Sequence, residues 1–76
     1  MVKQRIKKIF LEVFDCADIN IYTSVEDIDA WDSMGHMNLI VTLEEEFGVE
    51  FDFSEIVGLT CVGKIEHFLK EKGIFE

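Results

Sequence analysis

Asp27, Asp29, Asp32, Ser33 and His36 fall within ten residues, a density of carboxylate, hydroxyl and imidazole groups that suits metal binding, hydrolysis or covalent attachment. An EF-hand calcium loop beginning at Asp27 needs Asp or Asn at its fifth position, Gly at its sixth and a bidentate Glu at its twelfth. Trp31, Asp32 and Asn38 stand there instead, so the spacing argues against calcium. Zinc would require Cys16, Cys61, His36 and His67 to converge with no local pair of ligands to nucleate a site. A serine hydrolase needs a base, a third orienting group and an oxyanion hole, and residues 30–35, Ala-Trp-Asp-Ser-Met-Gly, lack the first glycine of a G-x-S-x-G elbow. His36 lies three residues beyond Ser33, too close along one helix to build a triad. What remains is a hydroxyl at the start of a helix. Unpaired N–H groups and the positive end of the helix dipole favour a phosphate esterified there by about 0.3 to 1 kcal/mol. The same position equally suits Ser33 or Asp32 as an ordinary N-cap.

Periodicity defines the elements that must hold these groups. The chain of 76 residues has no proline, no repeat and no low-complexity stretch. Val2, Ile6, Ile9, Phe10 and Val13 recur at three and four, which predicts an amphipathic helix over residues 2–14 with the basic residues on its other face. Residues 15–32 show no sustained period, although Ser24 and Asp27 can cap a short turn; loops of that length often carry function. Helical period returns from Ser33 to Phe47, and Gly48 supplies the left-handed residue that closes such a helix. His36, Leu39, Ile40, Leu43 and Phe47 share the inward face, whereas Met34, Met37 and Val41 point to solvent or a partner. Residues 49–53 alternate like a strand but have nothing to pair with, so they read as a loop whose Phe51 plugs the core. Residues 54–59 give one or two helical turns. Thr60 then caps a last helix with Val62, Ile65, Phe68 and Leu69 inward, ended by Gly73 after Lys70 and Lys72. The expected fold is all-α: a small four-helix bundle with a long first loop and a short third helix, in one domain over residues 1–76.

The charge balance is lopsided. Seven Lys and Arg face 16 Asp and Glu for a net charge of −9, and the first ten residues carry four of the cations with no acid. The acidic body repels nucleic acid and anionic membranes and selects basic partners. Glu12 interrupts any signal-peptide core after the basic start, and no apolar run exceeds three residues, so the expectation is a cytoplasmic chain without membrane insertion. Nothing in the sequence demands a dimer, and a monomer is expected. Two cysteines without C-x-x-C spacing are expected as buried or free thiols.

The residues on either side of Ser33 go further. Asp32-Ser33-Met34, followed by Leu39-Ile40-Val41-Thr42-Leu43-Glu44-Glu45-Glu46-Phe47-Gly48-Val49, closely resembles the carrier-serine motif and second helix of acyl carrier proteins. The likeness spans nearly the whole chain: the long first loop, a hydrophobic residue after the second helix (Phe51), a short third helix and a last helix opening Thr60-Cys61-Val62-Gly63-Lys64-Ile65. It implies a bundle of three longer helices and one short one, with a 4′-phosphopantetheine arm attached to Ser33 from coenzyme A by a phosphopantetheinyl transferase that recognises Asp32. It also implies a carrier that does no chemistry itself, its arm holding an acyl or aminoacyl group as a thioester for loading and processing enzymes in fatty acid, polyketide or other secondary-metabolite synthesis.

On that resemblance Met34, Met37 and Val41 form an adaptable docking patch, and Glu44 and Glu45 meet Lys or Arg on partner enzymes. A solvated face is the alternative for the glutamates, and capping is the alternative for Asp32. Carriers of fatty acid synthesis usually bear acidic residues two and five positions after the serine, where this chain has Gly35 and Asn38; this points to a specialised stand-alone carrier from a secondary-metabolite or surface-glycan pathway. Gly35 costs about 1 kcal/mol of helix stability unless close approach of the arm or a partner compensates. His36 either meets a phosphate when protonated or packs as a neutral imidazole at the core edge, and Trp31 anchors the loop. Leu43, Phe47, Phe51, Ile56 and Leu59 are candidates to line an acyl pocket. The reading from another class is an acidic helical adaptor that binds a basic protein without any prosthetic group and has no need of Ser33.

Overall fold

Apolar residues three and four apart build the first helix, α1 (Gln4–Phe14), which buries Ile6, Ile9, Phe10 and Phe14 along one side. The computed structural model describes residues 4–74, so Val2 and Lys3 lie outside the described residues. Among these it holds three further helices, α2 (Ser33–Phe47), α3 (Phe53–Gly58) and α4 (Val62–Glu71), and no strand. Val13, expected inside, packs half-buried at the core edge, and Phe14 takes the inner position. Ile6, Ile9 and Phe10 meet Leu39, Ile40 and Leu43 of α2, Leu59, and Val62, Ile65 and Leu69 of α4, all at most 1% exposed. Arg5 closes the far end of the α1–α2 seam, donating to a Glu46 carboxylate oxygen at 2.9 Å and to the Glu46 carbonyl at 2.7 Å, with its guanidinium 4.4 Å from the Phe47 ring centre.

The long first connection is ordered by its own side chains. Ile19, Ile28 and Trp31 are buried, and Trp31 meets Phe10 edge-on (5.3 Å, 81°) and stacks on Phe14 (5.5 Å, 29°), so it anchors the loop as expected. Ser24 and Asp27 close a turn, the Ser24 N–H donating to Asp27 Oδ2 at 2.9 Å and the Asp27 N–H to the Ser24 carbonyl at 2.9 Å, without becoming a helix. This loop also corrects the start of the last helix. The N-cap of α4 is Cys61, not Thr60, and Cys61 makes no side-chain capping bond. The Val62 and Gly63 N–H groups donate instead to the carbonyls of Thr23 and Ile21, each at 2.9 Å, so a neighbouring loop satisfies the orphan donors that a Thr60 hydroxyl was expected to meet. The Thr60 hydroxyl accepts from Lys64 Nζ at 3.3 Å. Cys16 and Cys61 are unpaired, half-buried thiols.

After α2, Gly48 takes φ +66° and its N–H donates to the Glu44 carbonyl, the left-handed stop expected of it. The next residues turn inward: Phe51 is buried, and its N–H donates to Glu44 Oε2 at 2.9 Å. Then α3 begins one residue earlier than the pattern suggested, because Asp52 makes a capping box: its carboxylate accepts from the Glu55 N–H while Glu55 accepts from the Asp52 N–H. No residue of α3 is fully buried.

The cap makes α3 sensitive to acid. The Glu55 N–H and the Ser54 hydroxyl both donate to Asp52 Oδ1, at 2.8 and 3.0 Å, and hold its carboxyl below the ordinary carboxylate range. Because the folded-state value is the lower one, the cap's contribution is complete above roughly pH 4 and is lost as pH falls through the depressed value. The amide shifts of Ser54 and Glu55 are therefore expected to titrate with a midpoint below that of a free Asp. In Asp52→Asn, which caps without ionising, that step disappears. A midpoint at or above the ordinary Asp value would contradict the capping argument.

Candidate functional site

Asp32 holds the entry to α2: its Oδ1 accepts the Gly35 N–H at 2.8 Å. Of the two cap candidates it is therefore the aspartate that serves, and Ser33, the first helical residue, is left exposed and outside the capping bond. What permits this tight entry is Gly35. It is buried, and a Cβ there would lie 2.1 Å from the Ala30 carbonyl oxygen and 2.9 Å from the Phe14 ring. The close approach that offsets its poor helix propensity is made by the chain's own loop, not by an arm or a partner.

Ser33 borders an open cleft of about 490 Å³ between α2, α3 and the end of the first loop. Trp31 and His36 stand on the α2 side, Ile56 and Val57 on the α3 side, with Met37 and Phe53 also on its lining. His36 spans it. The Trp31 indole N–H donates to His36 Nδ1 at 2.9 Å, so Nδ1 is the acceptor and the ring hydrogen sits on Nε2, which donates to the Ile56 carbonyl at 2.7 Å. The imidazole is the neutral, packed one of the two alternatives. With both nitrogens engaged inside the protein it is not aimed at a phosphate on Ser33.

The candidates for lining an acyl pocket differ in where they stand. Leu43, Leu59, Phe47 and Phe51 are packed into the core, where helices and loop close on one another, and of the five only Ile56 borders the cleft. Along α2, Met34, Met37 and Val41 are exposed by 78, 49 and 48% and follow one another at three and four residues, forming a stripe beside Ser33. Phe53 and Val57 of α3, 80 and 59% exposed, extend this apolar surface across the cleft. Sequence reasoning missed both. Residues 49–53 read as a loop with Phe51 turned inward and no face assigned to Phe53, but the Asp52 cap starts α3 there and turns Phe53 outward. The glutamates at the end of α2 differ from one another: Glu45 is exposed, Glu46 pairs with Arg5, and Glu44 is half-buried with one oxygen on the Phe51 N–H.

Among the described residues, no three His, Cys, Asp or Glu side chains group where they could share a metal ion, and no helix is long and apolar enough to cross a membrane.

Comparison with known proteins agrees with this geometry. Residues 4–69 match the phosphopantetheine attachment site family. The acyl carrier protein of Buchnera aphidicola from Acyrthosiphon pisum (strain Tuc7) is 33% identical over 75 residues, covering 96% of this chain and 94% of that protein, and that of strain 5A is equally similar. The solution structure of holo acyl carrier protein from Geobacter metallireducens superposes with a TM-score of 0.81 at 40% identity, over 90% of this chain and 80% of that one.

The residues present fit a phosphopantetheine group. Ser33 offers a primary hydroxyl to solvent for a phosphodiester, next to the first-turn N–H groups of α2, and the adjoining cleft has apolar walls and an open mouth. Kinship at this level along nearly the full length leaves one family: the chain belongs to the acyl carrier proteins, carriers with no catalytic activity of their own that work through a phosphopantetheine prosthetic group.

Proposed function

We propose that residues 1–76 act as one carrier domain, modified at Ser33 with 4′-phosphopantetheine from coenzyme A, and deliver acyl or aminoacyl groups to loading and processing enzymes with basic docking surfaces. The observation that carries this reading is the exposed Ser33 hydroxyl, which the Asp32 cap leaves outside the helix's own hydrogen bonding. The bound group supplies a thiol that holds the cargo as a thioester on a flexible tether, which raises its effective concentration at a docked enzyme. The protein's part is presentation. The capped first turn fixes where Ser33 stands, Asp32 beside it is the recognition element for the phosphopantetheinyl transferase, and the stripe of Met34, Met37 and Val41 gives partners an apolar surface to cover. Glu45 and Glu44 on the same helix, in a body of strong negative charge, speed the encounter with Lys- and Arg-bearing partners more than they deepen affinity. The carrier works as a cytoplasmic monomer. Gly35 and Asn38, at the two positions where fatty-acid carriers usually have acids, support a specialised pathway, since a buried Gly35 has no room for any side chain.

Incubation with coenzyme A and a broad-specificity phosphopantetheinyl transferase, followed by intact mass, is expected to add a single phosphopantetheine. No addition under conditions that modify a known carrier would remove the reading and leave the acidic adaptor. The docking stripe is tested on the same transferase. Met34→Asp keeps the fold, because an acid in the first turn suits the helix dipole, and lowers the transferase's kcat/KM by about tenfold, the loss expected when one apolar interface anchor is removed. An unchanged kcat/KM would take Met34 out of the docking surface.

A further inference from the structure

The short helix α3 has no fully buried residue, so packing holds it less firmly than its neighbours, and its place depends on polar ties. Two anchor its first turn: the Asp52–Glu55 capping box, and the ion pair of Glu55 with Lys72 at 3.0 Å. A third reaches its second half from across the cleft, the His36 Nε2–H bond to the Ile56 carbonyl at 2.7 Å. Among the described residues this is the hydrogen bond that joins α3 to α2. It is also directed. Trp31, buried and stacked on Phe14, donates its indole N–H to Nδ1, and this leaves the imidazole only one hydrogen, pointed at α3. The bond therefore links the loop before Ser33, the helix that begins with Ser33 and the opposite wall of the cleft.

We propose that His36 is a positioning residue for reactions at Ser33: its imidazole, oriented by Trp31, holds α3 across the cleft so that Phe53 and Val57 face an incoming enzyme in fixed register with the serine. This rests on the carrier reading for its consequence, but not for its geometry. A partner covering both Met37 on α2 and Phe53 on α3 meets a preformed surface only while α3 is held.

Amide hydrogen exchange on the unmodified chain tests the geometry, and transferase kinetics test the consequence. His36→Phe keeps a ring against Trp31 and removes both hydrogen bonds. It is expected to speed exchange of the amides of residues 54–59 by tenfold or more, with a much smaller change in α1 and α4, and to raise the transferase KM several-fold with kcat nearly unchanged. His36→Gln, whose amide reaches to the place of Nε2–H, is expected to restore most of the protection and most of the KM. Unchanged exchange in α3 would overturn the proposal, as would an equal rise in all four helices, or a Gln variant no better than Phe. An unmodified parent chain would be a separate failure, that of the carrier reading, and the exchange experiment would still report on His36.

Discussion

Ser33→Ala is expected to abolish attachment of phosphopantetheine completely while leaving the melting temperature and the helical content of the protein unchanged. The first half follows from chemistry: no phosphodiester forms without the hydroxyl. The second half follows from which side chain caps α2. The Gly35 N–H is met by Asp32 Oδ1 at 2.8 Å, Ser33 is exposed, and alanine is the better helix former at a first-turn position. The informative companion is Asp32→Ala, one residue away. It removes the cap and is expected to cost about 1 kcal/mol. For a chain of this size that is a fall of roughly 4 to 8 °C in melting temperature. The two neighbours thus differ in stability: Ser33→Ala loses modification at no cost in stability, whereas Asp32→Ala loses the cap together with the element proposed for transferase recognition. Ser33→Ala with a weakened α2 would mean that the serine, not the aspartate, starts the helix. A variant that still gained the added mass would place the attachment on another hydroxyl, with the exposed Ser54 the first to examine.

How far the sequence reaches can be judged from individual residues. Helices α1, α2 and α4 were legible because their stability comes from apolar faces at helical spacing, a property of nearby residues. Gly48 and Phe51 were legible for the same local reason. Ser33 stands out as the attachment residue only through family resemblance, since by itself it looks like any N-cap. What stayed hidden depends on segments distant along the chain. Thr60 has the right chemistry to cap α4 and does not, because carbonyls of Thr23 and Ile21 reach its first turn before any side chain does. Glu44 reads as a solvated or docking carboxylate until Phe51 turns in and presents its N–H. His36 sits in phase with the core, yet its role is set by Trp31 on one side and Ile56, twenty residues on, at the other. Phe53 and Val57 were missed because the period changes at Asp52, where a cap and not a hydrophobic pattern decides.

Gly35 gives the strongest test of this dependence on distant contacts, because local and tertiary physics predict opposite signs. By helix propensity alone, Gly35→Ala in the first turns of α2 should stabilise by up to about 1 kcal/mol. The structure predicts the reverse. The new methyl would lie 2.1 Å from the Ala30 carbonyl oxygen, a backbone atom that has no rotamer to move to, and 2.9 Å from a Phe14 ring carbon already packed against Phe10 and Trp31. Overpacking of this kind costs about 1 to 3 kcal/mol, and the rigid partner puts Gly35→Ala at the upper end, about 2 to 3 kcal/mol net. In so small a chain that is a fall of roughly 10 to 20 °C in melting temperature. Residues 30–32 must shift to relieve the contact, so Asp32 and Ser33 move with them and the transferase loses efficiency even below the melting point. Gly58→Ala is the control. Nothing lies within 4 Å of its Cβ position and its φ is not positive, so alanine there is expected to be neutral or stabilising by up to about 1 kcal/mol. Thermal melts of the two variants side by side read the difference. A stabilised Gly35→Ala would mean that the first loop does not press on α2, and with it would go the account of why glycine stands at this position.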